Sequence, residues 1–214
     1  MLKIGAIVSC YHLTKYLKAV LKSLADIDTV LVVNCRFAGA KESPDDTVKI
    51  VRELNQPNIV LVVDEDKKQH KVIQESLEIL WDCKYVIIND ADEFLLKQDR
   101  KEMVEEMLTH RAEVGFCHCV DYASDTQRYE IRGYRPAMIV KPTTRFPIGR
   151  TVEYGNGLYF DKYVHHFGYA LDKENIEWKR SWYNAPPKEI TRIMEQKKYD
   201  CKIPEEIMKL LEEQ

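Results

Sequence analysis

The chain has 214 residues and a formal net charge of −3, with 45% hydrophobic and 31% charged residues. This balance is typical of a globular protein with a sizeable core, and charges of mixed sign argue against a nucleic-acid partner. No run approaches the roughly 18 apolar residues of a membrane span, and Ile4–Val8 is too short for a signal-peptide core. We therefore expect a cytoplasmic protein, with peripheral membrane contact left open.

Strands and helices alternate through the first half of the sequence. Continuous apolar runs rich in β-branched residues predict buried strands, and the intervals between them each suit one helix. The predicted strands are Ile4–Val8, Val30–Val33, Ile59–Val63 and Tyr85–Ile88. This rhythm predicts a largely parallel sheet with right-handed crossovers.

Apolar residues spaced three and four apart predict the helices. The helices are predicted within Leu13–Leu24, after Ser43–Asp46, within Val72–Trp81 and over Asp99–His110. In the last of these, we expect Asp99 to cap the helix and Glu102 to complete a capping box.

The second half of the sequence is less regular. Val114–Val120 and Ala137–Lys141 are predicted strands, and the prolines and glycines of Pro142–Gly157 indicate a loop or a bent strand. Pro186–Gln214 is predicted to be helical, with a break near Pro204.

Two cysteines, Cys117 and Cys119, share one predicted strand. Alternation places both side chains on the same face, where we expect buried free thiols. Zinc would need further ligands nearby, and His118 points to the opposite face.

Asp90, Asp92 and Glu93 directly follow the fourth predicted strand. Ligands of open parallel sheets bind beyond the carboxyl ends of the strands. Two carboxylates one residue apart can hold one hard cation, and three clustered acids need a cation or a strong donor to offset their repulsion. We expect a cation site with a solvent-accessible Asp92; the alternative is a solvated acidic turn.

Taken together, these segments resemble the GT-A glycosyltransferases, and within them the large inverting family 2 group. The matching segments are Lys3–Ser9, Val30–Asn34, Asp45-Asp46-Thr47 and Tyr85–Leu95, and the resemblance covers about residues 1–170. It implies an α/β GT-A fold, which is a Rossmann-like, open, mostly parallel twisted sheet flanked by helices, here with C-terminal helices. We expect one domain with a nucleotide-binding half (1–95), an acceptor half (96–185) and a C-terminal helical extension (186–214).

The resemblance also implies a metal site. Asp92 matches the family's metal-binding acid, and Asp90 matches the acid near the ribose and diphosphate, which can reach the metal through water. His166 matches a histidine that completes the metal shell; the alternative is a structural pair with His165, and only one of the two can face the site. Oxygen and imidazole ligands suit Mn²⁺ or Mg²⁺.

Donor contacts are implied at the ends of the other strands. Ser9 and Tyr11 match the position that holds the nucleotide base, and Ala91 lies within the acidic motif. Asn34 replaces the acid that usually faces uracil, so the donor is expected to be UDP- or GDP-linked. Lys71 is a candidate phosphate contact, and a solvated lysine cluster is the alternative.

An inverting hexosyltransferase needs a base that deprotonates the acceptor hydroxyl, which would belong to a glycan, a lipid or a protein. Glu153 is the first candidate and Asp121, at the end of a predicted strand, is the second. Either can instead be a surface carboxylate paired with Arg132, Arg135 or Arg150.

Three other functions compete with the transferase. A phosphatase of the haloacid dehalogenase type has Asp-x-Asp after its first strand, whereas here the motif follows the fourth. A nucleotidyltransferase needs a glycine-rich N-terminal loop, which Ser9–His12 does not offer. A nucleotide-sugar-binding module without turnover is the non-enzymatic alternative.

Overall fold

A mixed β-sheet with helices on both faces is the framework of the protein. In the computed structural model, the described residues are 2–10, 14–35, 46–64, 67–123, 127–129, 135–168, 170 and 198–213. The strands in these ranges are β1 Ile4–Cys10, β2 Thr29–Cys35, β3 Ile59–Asp64, β4 Tyr85–Asp90, β5 Glu93–Leu95, β6 Val114–Tyr122, β7 Gln127–Tyr129, β8 Ala137–Val140, β9 Arg145–Ile148, β10 Thr151–Glu153, β11 Gly157–His166 and β12 Lys198–Asp200. The helices are α1 Leu17–Ser23, α2 Thr47–Leu54, α3 Gln69–Ile79, α4 Lys97–Thr109 and α5 Glu205–Glu212. Within the described ranges, no helix is long and apolar enough to cross a membrane.

The sheet has the strand order β3-β2-β1-β4-β8-β6, and β11 also pairs with β6. Strands β1 to β4 are mutually parallel, β8 lies antiparallel between β4 and β6, and β11 is parallel to β6. The carboxyl ends of β1, β2, β4, β6 and β11 therefore meet at one edge of the sheet, which we call the carboxyl edge. The short strand β5 pairs antiparallel with the end of β11 at this edge.

Residues of the central strands point alternately into two cores. Ala6 and Val8 of β1 join a core that also contains residues of α1 and α4, whereas Ile7 joins one that contains residues of α3. Val30–Val33 of β2 are at most 3% exposed, which confirms the prediction of a strand covered on both faces. The predicted α/β sheet with flanking helices is thus confirmed, with β8 as an antiparallel insertion that the strand–helix rhythm did not indicate.

Two helix predictions need correction. α4 begins at Lys97, with Leu96 at its N-cap position and no side-chain cap. Asp99 lies inside the helix and forms an ion pair with Lys162 at 2.9 Å, so its carboxylate does not cap. The third helix is predicted to reach Trp81, but α3 ends at Ile79 and Trp81 is 76% exposed. The helical period does not extend to a residue beyond the helix end.

The C-terminal prediction is partly wrong. Glu205–Glu212 is helical, as predicted, and begins directly after Pro204. Lys198–Asp200, in contrast, is a strand that pairs antiparallel with β7. Residues 186–197 lie outside the described residues. This strand is short and polar, so neither a helical stripe nor an alternating pattern identifies it. Its pairing partner, β7, lies in a distant part of the chain.

Candidate active site

The acidic segment at the end of β4 is fixed by backbone and side-chain hydrogen bonds. Ala91 N donates to Ser9 O at 3.0 Å, and Asn89 Nδ2 donates to Glu93 O at 2.7 Å. The side chains of Asp92 and Glu93 are only 6% exposed. The expectation that Asp92 is solvent-accessible is therefore wrong, and so is the alternative of a solvated acidic turn. The turn that contains Asp92 passes straight into β5, whose first residue is Glu93.

Strand pairing brings a histidine from the far end of β11 to this segment. His166 is the Cα partner of Glu93 on β5, and Phe167 N donates to Asp92 O at 2.8 Å. His166 Nε2 then lies 3.6 Å from Asp92 Oδ1. Its other ring nitrogen, Nδ1, donates a hydrogen bond to Asp121 Oδ1. The imidazole is therefore placed between two carboxylates, each facing one ring nitrogen.

The neighbouring histidine points elsewhere, as the alternation of β11 predicts. His165 is 8% exposed, and its Nδ1 is hydrogen-bonded to the hydroxyl of Tyr122 at 2.8 Å. Burial lowers the pKa of His165 to about 4, so it is neutral near pH 7. Of the pair, His166 is the one beside the acidic segment.

The protonation of His166 follows from its partners. Burial disfavours the charged imidazole, but the Asp92 carboxylate and the hydrogen bond to Asp121 outweigh burial and raise the pKa of His166 to about 9. In the absence of a metal, His166 is thus an imidazolium ion near pH 7. A metal ion that binds Nε2 would have to displace this proton.

Asp90 has a different environment from Asp92. Gln69 Nε2 donates to Asp90 Oδ1 at 3.3 Å, and Arg150 Nη1 donates to Asp90 Oδ2 at 3.3 Å. Burial and the neighbouring Glu93 raise the pKa of Asp90 to about 7, although Arg150 opposes the shift. Neither Gln69 nor Arg150 was predicted as a partner of Asp90, because they lie 21 and 60 residues away in sequence.

Arg150 is the strongest cationic contact of the acidic segment. Its Nη1 donates to both carboxylate oxygens of Glu93, at 2.7 and 2.8 Å, and Nη2 donates to Ile88 O at 3.0 Å. The Arg150 side chain is 8% exposed. Arg150 is predicted as a partner of surface carboxylates, whereas it contacts the buried Glu93.

The donor atoms around His166 fit a divalent metal. Ligand atoms of Cys119, Asp121 and His166 lie within 4.8 Å of one another, and Asp92 approaches the imidazole from its other side. Cys119 is a poorer ligand than the carboxylates, because burial raises the pKa of its thiol and keeps it protonated. Carboxylate oxygen and imidazole nitrogen suit Mn²⁺ better than they suit Ca²⁺. A metal near Cys119 needs further ligands, and β11 supplies His166, which lies distant in sequence.

The predicted donor-binding residues are only partly brought together. Ser9 pairs with Asp90 in the register of β1 and β4, and its hydroxyl is buried with no hydrogen-bond partner among the described residues. Asn34 lies at the end of β2, also on the carboxyl edge. Lys71 is exposed on the first turn of α3. Tyr11 lies outside the described residues. Their binding roles remain predictions.

The two candidate bases occupy different places. Asp121 is the penultimate residue of β6, lies next to His166 and is 13% exposed in its side chain. Glu153 is exposed on β10, in the hairpin formed with β9, opposite Arg145. The described residues show no hydrogen bond or ion pair between Glu153 and the acidic segment. The choice between the two bases remains a prediction.

Comparison with known protein families finds one family model that matches most of the chain. The model of glycosyl transferase family 2 matches residues 6–171. The chain belongs to glycosyl transferase family 2. The family match runs from Ala6 in β1 past the end of β11 and includes every residue of the acidic segment, Asp121 and His166. Comparison with curated proteins finds no match.

Solved structures show the same fold in a longer protein. Residues 1–349 of S. aureus TarS match with a TM-score of 0.54 and 17% identity, over 90% of this chain and 69% of that one. The complex of the same TarS fragment with UDP-GlcNAc matches with a TM-score of 0.55, 17% identity and coverage of 90% and 70%. The chain spans 42% of the longer TarS structure. At this identity the likeness shows the GT-A fold of family 2 and does not identify a substrate.

Proposed function

We propose that this family 2 member is a metal-dependent hexosyltransferase that moves a sugar, with inversion, from a nucleotide diphosphate to a hydroxyl acceptor. The observation that carries the proposal is the placement of His166 between Asp92 and Asp121 at the carboxyl edge. Open parallel sheets bind nucleotides at this edge. The UDP-GlcNAc complex of TarS supports UDP-linked sugars as the first donors to test.

Asp92 and Nε2 of His166 are the proposed metal ligands, and the ion is Mn²⁺ or Mg²⁺. A bound ion would stabilise the negative charge of the departing diphosphate as a Lewis acid. Asp121 accepts the hydrogen bond of Nδ1 and so fixes the orientation of the imidazole, an arrangement that is common for metal-binding histidines. Asp90 is proposed to face the ribose and diphosphate, or to reach the metal through water.

Glu153 is the proposed base for the acceptor hydroxyl. It is exposed and therefore accessible to an acceptor, whereas Asp121 is engaged with His166. A carboxylate base must lie within hydrogen-bond reach of the attacking hydroxyl, directly or through one water molecule. Asp121 remains the second candidate. The acceptor, a glycan, lipid or protein hydroxyl, and the cytoplasmic location also remain predictions.

The test is release of the nucleoside diphosphate from a panel of UDP- and GDP-sugars, with Mn²⁺, with Mg²⁺ and with a chelator. We expect slow hydrolysis of at least one UDP-sugar that depends on the added metal and accelerates when an acceptor sugar is supplied. Metal-dependent binding without any turnover would favour the nucleotide-sugar-binding module. Failure to bind any donor with either ion would contradict the proposal.

A further inference from the structure

We propose that Arg150 is a positioning residue that takes the place of a cation between Asp90 and Glu93, and so confines the divalent metal to Asp92 and His166. This inference rests on the proposed function, because it assigns the acids of one motif to two different cations. One of these cations is permanent and belongs to the chain, and the other is exchangeable.

The contacts of the guanidinium support a fixed position. Nη1 lies 2.7 and 2.8 Å from the two oxygens of Glu93 and 3.3 Å from Asp90 Oδ2. Nη2 donates to Ile88 O and lies 3.3 Å from Met138 Sδ, both on neighbouring central strands. With the side chain 8% exposed, water does not screen these contacts well.

The two carboxylates are also held by other donors. Asp90 N donates to Glu93 Oε2 at 3.0 Å, and Gln69 Nε2 donates to Asp90 Oδ1. These hydrogen bonds keep both acids directed towards Arg150. A divalent ion seated between Asp90 and Glu93 would have to displace the guanidinium or lie against its positive charge. Repulsion therefore directs the ion to the other side of the segment, where Asp92 faces His166.

Arg150 also links the β9–β10 hairpin to the end of β4. It directly follows Gly149, whose φ of 51° forms the turn between β9 and β10. The same hairpin carries Glu153, the proposed base. The guanidinium thus attaches the acceptor-side hairpin to the end of β4. A lysine would supply the charge without the second nitrogen, Nη2, that here donates to Ile88 O while Nη1 donates to Glu93.

The test compares Arg150→Met, Arg150→Lys and the control Arg145→Met, which removes an exposed arginine from the same hairpin. Mn²⁺ affinity is measured by calorimetry without nucleotide, UDP affinity at saturating Mn²⁺, and folding by thermal unfolding. We expect Arg150→Met to bind Mn²⁺ about tenfold more tightly than the wild type does. This factor corresponds to about 1.4 kcal/mol of repulsion that the substitution removes. UDP affinity should fall about tenfold or more, because the ion then binds partly at Asp90 and Glu93.

A double variant and the lysine variant make the result specific. Adding Glu93→Gln to Arg150→Met should return Mn²⁺ affinity towards the wild-type value, and Arg150→Lys should keep wild-type Mn²⁺ affinity with weaker UDP binding. Unchanged Mn²⁺ and UDP affinities in Arg150→Met would overturn the inference, as would a parallel loss of both. If Arg150→Met does not fold, unchanged UDP binding in Arg150→Lys overturns it. A wild-type protein that binds Mn²⁺ but no nucleotide would refute the proposed transferase while the Mn²⁺ measurements still decide the role of Arg150.

Discussion

The carboxyl groups around Asp90-Ala91-Asp92 differ in partner, although they are adjacent in sequence. Asp90 and Glu93 face Arg150, whereas Asp92 and Asp121 face the two nitrogens of His166. Each negative charge thus has a cationic neighbour before any metal binds. This division gives each acid a separate, testable role.

Asp121 can either orient His166 or act as the base, and Mn²⁺ binding distinguishes these two roles. If it orients His166, Asp121→Asn should weaken Mn²⁺ binding by about tenfold or more, in line with the usual effect of removing a carboxylate behind a metal-bound histidine. Calorimetry with Mn²⁺ alone measures this effect without any turnover. A variant with normal Mn²⁺ affinity and no transfer would instead identify Asp121 as the base.

The role of Glu153 gives the complementary prediction. Glu153→Gln should bind the UDP-sugar and Mn²⁺ as the wild type does, because the side chain is exposed and has no contact with the acidic segment among the described residues. Transfer to the acceptor should fall by about 10²-fold or more, the usual contribution of a general base. Steady-state transfer rates at saturating donor measure it, and undiminished transfer would move the base role to another residue.

The sequence predicted the local parts of this site better than its distant parts. Asp90 and Asp92 could be found because they follow an apolar strand, whereas His166 was found only through the resemblance to family 2. Arg150 and Gln69 could not, since nothing in their own neighbourhoods indicates that they reach Asp90. The solvent-accessible Asp92 was a wrong prediction for a related reason: the burial comes from β5 and β11, whose pairing is not local.

At the level of secondary-structure elements, the contact between α4 and the end of α1 depends on one buried arginine. Arg100 is 3% exposed and donates to Leu95 O, Ser23 O and Asp26 Oδ1 at 2.5, 2.9 and 2.9 Å. These acceptors lie just before α4 and at or after the end of α1. The arginine therefore joins two helices of the same core.

Replacement of Arg100 tests this connection. Arg100→Met should lower the free energy of unfolding by roughly 3 kcal/mol, because it leaves the buried Leu95 carbonyl and the partly buried Ser23 carbonyl without this donor and removes the closer cation of Asp26. The control Lys97→Met removes an exposed partner of the same Asp26, 3.5 Å away, and should change stability by less than about 0.5 kcal/mol. Urea denaturation of both variants measures the difference, and equal effects would contradict the assignment.

Elements that their own sequence specifies were easier to predict than elements that are short or depend on distant partners. β1, β2 and β4 are continuous apolar runs buried on two faces, so composition alone identifies them. The β9–β10 hairpin is a separate two-stranded sheet of partly exposed residues, and β12 is a three-residue strand whose partner β7 lies far away in sequence. Pro142–Gly157 was accordingly predicted only as a loop or bent strand.

At the scale of the whole molecule, several strand ends converge on one edge. β1, β4, β6 and β11 deliver Ser9, Asp90, Asp121 and His166 to the carboxyl edge. The turn after β4 adds Asp92, and β5 adds Glu93. The strand–helix rhythm predicted this edge, while the antiparallel β8 between β4 and β6 depends on pairing that no local pattern reveals. Because these side chains converge at one edge, we propose that a metal-bound nucleotide sugar binds there.

The most direct measurement of that claim is UDP binding by calorimetry, with and without Mn²⁺, in the wild type and in Asp92→Asn. The variant should fold, because a similarly shaped amide removes one negative charge from a cluster of carboxylates. We predict that the wild type binds UDP about tenfold more tightly or better with Mn²⁺ than without, and that Asp92→Asn loses this difference. Wild-type, Mn²⁺-dependent UDP affinity in the folded variant would contradict the account.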